Sequence, residues 1–421
     1  MQVYKFGGAS IASPDRMEAL LPIIQDAEQP VVLVVSAIGK TTNALEDIVN
    51  AACKGKKEEA HKLAQVLERE HLDYAKAVLN ETYYTEAISA LNVFFTELQW
   101  AIDDASADKY DYSYDQIVCL GELFSTRIFG YYLQQETGNF EWIDVRDLIR
   151  TDDTYRDARV DWDYSETQVK ALMGTLLDKG KNIITQGFIG ATADNASVTL
   201  GREGSDYTAA MLAAMLAAEG VTIWKDVQGL QNADPKQFPN TVKIEAITYH
   251  EVIEMAYYGA QVIHPKTIKP LQNNNIPLYV KCFLNKDIKG TVIQAEVNSI
   301  FYPPLIILKK NQTLLQLTAK DFSFIAEDNL SQLYSTFHGL NVKVNLIQNA
   351  AISFVACIDQ NEEKINALID ILGKDYKVSR NEDVSLLTIR HYTPEILFDL
   401  TKGRYMLLEQ KTRQTVQIVM K

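Results

Sequence analysis

The chain has 421 residues, more than one ordinary core accommodates, so two or three domains are expected. Apolar residues make up 47% and charged residues 23%, and the formal net charge of −14 excludes a nucleic-acid binder working through a basic stripe. No apolar run approaches the ~20 residues of a membrane helix, and four scattered cysteines (Cys53, Cys119, Cys282, Cys357) lack metal-ligand spacing, so a cytoplasmic protein with reduced, mostly buried thiols is expected.

Val3-Tyr4-Lys5-Phe6-Gly7-Gly8-Ala9-Ser10 predicts a short buried strand running into a glycine turn, with no leader before it. Adjacent glycines let the backbone approach a ligand, and Lys5 brings a cation to the same spot. An ordinary tight turn is the alternative. Ser13-Pro14-Asp15 predicts a helix start, running to about Ala27. Val31–Val35 is an unbroken apolar run, as in a parallel strand covered on both faces. Gly39-Lys40-Thr41 after it is not a P-loop, because position 34 is valine where that motif needs glycine. Ser36 and Thr42 are candidates for a ligand site at the carboxyl end of this strand, or for helix capping.

From Thr42 to about Leu98 the pattern is helical, and Lys57 to Val78 predicts a surface helix. Asp103-Asp104 and Tyr110 to Asp115 predict a solvated loop. Gly121-Glu122 opens a helix through Tyr132, and Glu122 is either a half-buried acid or an ammonium-binding one. Trp142–Val145 predicts an edge strand and Lys181–Gln186 another strand, ending in Gly187-Phe188-Ile189-Gly190. Ser205 is expected to cap an alanine-rich helix from Asp206 to about Ala218, where Asp206 also suits the helix dipole. Arg202, between glycines, has the fork that suits a carboxylate. Val221–Trp224, Leu278–Cys282 and Gly290–Ile293 are further strands. The elements shorten near Phe301-Tyr302-Pro303-Pro304, and a doubled βαββ-type pattern follows. The whole reads as α/β, a parallel-rich sheet sandwiched by helices, then α+β units.

Lys5-Phe6-Gly7-Gly8-Ala9-Ser10, Val34-Val35-Ser36-Ala37, Gly121-Glu122, Gly187-Phe188-Ile189-Gly190, Gly201-Arg202-Glu203-Gly204-Ser205-Asp206 and Asp226-Val227-Gln228-Gly229 occur in this order. The set resembles the amino-acid kinase family, and within it the aspartokinases. The resemblance implies a catalytic domain over 1–298, then a tandem ACT-like (ferredoxin-like) regulatory and dimerisation region over 299–421. It implies transfer of the γ-phosphoryl of ATP to the β-carboxylate of L-aspartate, the first step toward lysine, threonine and methionine. Mg²⁺ is expected on the ATP phosphates, with no metal ligands from the protein, and a homodimer with a possible amino-acid effector.

By matched position, Lys5, Asp206 and Lys236 are expected to act on the transferring phosphoryl. Glu122 is expected to take the substrate ammonium and Arg202 its α-carboxylate, with Ser36, Thr42 and Ser205 completing the pocket. Lys5, Gly7, Gly8, Lys225, Asp226, Gly229, Gln231, Lys236 and Gln261 fall at ATP-binding positions. Ala9, Glu203, Lys225, Gln231 and Gln261 depart from the residues usual in the family. Asn345–Ala350 stands where the family's effector loop carries acids, so amino-acid feedback that is weak, absent or directed at an unusual ligand is expected. The rival readings are a glutamate-type kinase of the same family and a weakened ACT-dependent sensor.

Overall fold

A computed structural model describes residues 1–27, 30–297 and 302–421. The chain divides into two units. The first is Met1–Leu230 with Glu245–Ile253 and Ile263–Asn298; the second is Gln231–Ile244, Glu254–Val262 and Ser299–Lys421. The boundary expected at 298/299 falls on residues 298–301, outside the described residues.

The first unit is built on an eight-stranded sheet. Its strands are β1 (Gln2–Phe6), β2 (Val31–Val35), β3 (Phe140–Ile143), β4 (Asn182–Gln186), β7 (Gly220–Lys225), β8 (Ala246–Thr248), β9 (Leu278–Cys282) and β10 (Thr291–Gln294). β5 (Ile189–Ala191) and β6 (Ser197–Thr199) form a separate antiparallel pair. The order is β3-β4-β2-β1-β7-β9-β10-β8, parallel except where β10 meets β9. β1 is central, with Lys5 opposite Val34 on one side and Ile223 on the other. Every residue of β2 is buried, as its β-branched run dictates for a strand covered on both faces. β3 lies at the edge.

The expected helix after Ser13 is two short ones, Pro14–Glu18 and Leu21–Gln25. Pro22 lacks the amide hydrogen a continuous helix needs and crowds the carbonyl four residues back, so the first helix ends before it. Helices Thr41–Cys53, Lys57–Val78 and Glu81–Asp104 follow, the second burying Leu67, His71 and Ala75 while Val66 stays exposed. Tyr110–Val118 corrects the expected loop: it is a helix with Ser113, Tyr114 and Asp115 buried. Helix Leu120–Thr137 is anchored by Thr126, whose hydroxyl accepts from Gln186 Nε2 at 2.8 Å and Trp142 Nε1 at 3.1 Å. The alanine-rich helix runs Gly204–Met215. Its N-cap is Glu203, so Ser205 lies inside the first turn, a correction to the expected cap.

The second unit holds a six-stranded antiparallel sheet of β11 (Leu305–Ala319), β12 (Val344–Asn349), β13 (Ser353–Asp359), β14 (Tyr376–Arg390), β15 (Met406–Lys411) and β16 (Thr415–Met420). The doubled pattern is present, but its halves share one sheet. β11 and β14 are each 15 residues long and pair along their length, with register shifts between Lys309 and Leu314. Leu333, Phe337, Phe354, Ile365 and Leu368 pack one half, and Ile389, Val416 and Ile418 the other. The four cysteines are free, three of them buried.

Candidate active site

Three chain segments meet at the carboxyl end of the central strands. The first is the turn after β1. Gly7 accepts from the Ser10 amide and hydroxyl, both at 2.9 Å. A Cβ on Gly8 would stand 2.5 Å from the Ala37 carbonyl oxygen, so glycine is needed for packing against the second segment, the loop after β2. Helix Leu120–Thr137 also packs closely here: a Cβ on Gly121 would lie 3.0 Å from the Leu45 side chain and 3.1 Å from that of Ala37. The third segment is Gly201–Asp206, which opens the alanine-rich helix.

These segments bring together a cavity of about 510 Å³. Of the expected residues, Lys5, Ser36, Thr42, Glu122, Arg202, Ser205, Asp206 and Lys225 line it. Lys5 Nζ is 2.7 Å from Asp206 Oδ1, and Lys225 Nζ is 4.0 Å from Oδ2. Burial pushes the Asp206 carboxyl up, but Lys5 and Lys225 outweigh it and hold the group below the usual carboxylate range. Ser36 Oγ donates to Ser205 Oγ at 3.0 Å.

Glu122 is the opposite case. Oε1 accepts the Ala37 amide at 3.3 Å, while Oε2 is buried without a hydrogen-bond partner. Burial pushes its carboxyl up to about 8, against the opposing pull of the Ala37 amide and Lys5. An unpartnered acid oxygen beside a polar cavity is a seat for a cationic group, which would restore its charge.

Glu203 adopts φ 55 in the left-handed region, which explains why glycine suits that position. Its Oε2 accepts the His264 amide at 2.9 Å, so its carboxylate is engaged there. Gly7, Gly8, Asp226 and Gly229 lie outside the cavity lining. A Cβ on Gly229 would meet Thr291 Oγ1 at 2.6 Å, and Asp226 is exposed after β7. Gln231, Lys236 and Gln261 belong to the second unit.

Sequence reasoning missed Tyr114, Arg156, Phe188 and Thr199, which also line the cavity. Arg156 and Thr199 are tied through Asp115, whose carboxylate takes the Arg156 amide at 2.9 Å, the Thr199 amide at 2.9 Å and the Thr199 hydroxyl at 2.7 Å. Burial raises Asp115 to about 6 despite these donors. Phe188 was legible as part of a quoted motif; the others carried no local signal.

The cavity thus gathers two lysines, two serines and the N-terminus of the alanine-rich helix beside a buried acid and an arginine. The chain belongs to the amino acid kinase family, whose sequence pattern matches residues 1–282. Within that family it groups with the aspartokinases. Lysine-sensitive aspartokinase 3 of Escherichia coli (strain K12) is 32% identical over 365 residues, 85% of this chain and 78% of that protein. The chloroplastic bifunctional aspartokinase/homoserine dehydrogenase 2 of Arabidopsis thaliana is 29% identical over 391 residues, 88% of this chain. The chain spans 41% of that protein's length and 32% of its Zea mays counterpart's. The crystal structure of E. coli aspartokinase III with lysine and aspartate matches all of this chain and 95% of its own, with a TM-score of 0.83 and 26% identity. The same enzyme with aspartate and ADP matches with a TM-score of 0.81 and 27% identity.

Proposed function

We propose that the chain transfers the γ-phosphoryl of ATP to the β-carboxylate of L-aspartate, giving 4-phospho-L-aspartate. The observation that carries this reading is the Lys5–Asp206 pair at 2.7 Å in one cavity with Glu122 and Arg202. The β-carboxylate is already a nucleophile, so the site needs no general base. Its work is positioning and charge stabilisation. Glu122 binds the ammonium, Arg202 the α-carboxylate, and Ser36, Thr42 and Ser205 the remaining polar groups. Lys5 meets the charge that develops on the transferring phosphoryl, with Asp206 fixing the Lys5 ammonium and Lys225 beside it.

Among the described residues no group of three or more His, Cys, Asp or Glu side chains converges to hold a metal. Asp206 is already committed to two lysines. We assign Mg²⁺ to the ATP phosphates, as the resemblance implies. Gly7, Gly8, Asp226, Gly229, Gln231, Lys236 and Gln261 keep the nucleotide roles that the resemblance gives them, to be tested by substitution. Residues 1–298 are the catalytic domain in this reading and 299–421 the regulatory and dimerising region of a cytoplasmic homodimer whose amino-acid feedback is weak, absent or directed at an unusual ligand.

A hydroxamate assay with ATP, Mg²⁺ and aspartate tests the reading, since hydroxylamine traps the acyl phosphate. Aspartyl hydroxamate formation is expected. No product with aspartate, or faster product from glutamate, overturns it.

A further inference from the structure

Arg156 lines the cavity, yet the reaction above leaves it without a task. Its backbone is unusual, with φ 69 in the left-handed region, where an L side chain is strained. Such a conformation persists where the surroundings enforce it, and it concentrates at functional sites. Here the enforcement is explicit. The Arg156 amide donates to the buried Asp115 carboxylate at 2.9 Å, and the next residue, Asp157, accepts from Lys266 Nζ at 2.7 Å.

The side chain is oriented but not saturated. The guanidinium carbon lies 4.5 Å from the centroid of the Tyr114 ring, and Nη1 donates to Asp111 Oδ1 at 3.1 Å. Both partners of that ion pair are open to water, with side chains 47% and 61% exposed. An exposed pair of this kind holds its arginine weakly. A carboxylate inside the cavity offers the same fork a bidentate partner with less competition from solvent.

We propose that Arg156 is a further substrate-binding residue, whose guanidinium exchanges Asp111 for a carboxylate of the acidic amino-acid substrate and works alongside Arg202. The proposal deepens the functional reading above and rests on it. A second arginine favours a dicarboxylate over amino acids with one carboxylate. It also gives the strained backbone a purpose: Tyr114 and Asp115 hold the residue at the cavity wall.

Glycine at 156 separates this role from a purely structural one, because glycine removes the strain along with the guanidinium. Calorimetric titration of aspartate without ATP, and KM for aspartate and for ATP, are measured for wild type, Arg156→Gly and Arg156→Lys. Arg156→Gly is expected to melt no lower than wild type, with aspartate Kd and KM raised about tenfold or more and KM for ATP moved far less. Arg156→Lys, which keeps charge but loses the fork, is expected to fall between. An unchanged aspartate Kd in Arg156→Gly overturns the proposal, as does a loss confined to ATP. A wild type that binds aspartate without phosphorylating it overturns the functional reading alone, and the variant Kd still decides this one. A wild type that does not bind aspartate overturns both.

Discussion

Lys5 Nζ, at the end of the central strand, lies 2.7 Å from Asp206 Oδ1 in the first turn of the alanine-rich helix. Both side chains are largely buried, at 12% and 5% exposed. The pair joins the two ends of the site and fixes where the cation stands. Lys5→Ala is expected to lower kcat by about a thousandfold or more, as for loss of a preorganised charge on a transferring group. Lys5→Arg is expected to recover only part of it. A Lys5→Ala rate within tenfold of wild type removes the role assigned to Lys5.

The same pair sets an acid limit on stability. Asp206 has its carboxyl held below the usual range in the folded chain. Its contribution is therefore present above the unfolded carboxylate range and is lost as pH falls through the folded value. Thermal melts from pH 6 down to pH 3 are expected to decline less for Asp206→Asn than for wild type. Parallel declines contradict the assignment.

Glu122 titrates in the other direction. Its carboxyl is raised to about 8 by burial, so the folded chain keeps a proton that the unfolded chain has released above about pH 4.5. This group therefore costs stability as pH rises toward 8. Without substrate, Glu122→Gln is expected to gain in stability on wild type as pH rises from about 4.5 to 8. The same variant is expected to bind aspartate far more weakly, since the amide cannot pair with an ammonium. Wild-type aspartate affinity is expected to tighten between pH 6 and 8. A pH-independent Glu122→Gln difference in melting rejects the buried-proton account.

Glu203 combines backbone strain with a useful bond. Glu203→Ala loses the His264 amide partner and keeps the strain, for a loss of about 1 kcal/mol. Glu203→Gly loses the same bond but relieves about 1 kcal/mol of left-handed strain, so it is expected to match wild type. Thermal denaturation ranks the two; alanine at or above glycine contradicts this.

Asn345 is occupied within the second unit. Its Oδ1 accepts from Lys309 Nζ at 2.8 Å, and its Nδ2 donates to Gln312 Oε1 at 2.8 Å and Asp359 Oδ1 at 2.9 Å. With that side chain engaged and no acid in 345–350, weak feedback is expected. Neither lysine nor threonine should halve the rate at about 1 mM, an affinity worth only about 4 kcal/mol. Sub-millimolar inhibition by lysine overturns this expectation.

Much of the sheet was legible because parallel strands buried on both faces need unbroken apolar runs, as in Val31–Val35. The motif residues Lys5, Ser36, Glu122, Arg202 and Asp206 were legible through their order along the chain. Asp115 was not. Its acidic, tyrosine-rich surroundings read as solvated, and the donors that allow its burial, Arg156 and Thr199, are remote in sequence. Ser205 was misplaced for a local reason. A serine before an acid looks like a cap, but the left-handed Glu203 starts the helix two residues earlier. The split helix after Ser13 turned on Pro22, whose disruptive effect outweighs the favourable apolar spacing around it.

The 15-residue strands β11 and β14 pass through both halves of the second unit's sheet. Mechanically they form one beam. A ligand that twists either half bends a hydrogen-bonded ladder the other half also depends on, so the repeats cannot respond as independent hinges. The register shifts between Lys309 and Leu314 interrupt that ladder at the place where Lys309, Gln312, Asn345 and Asp359 cross-brace it.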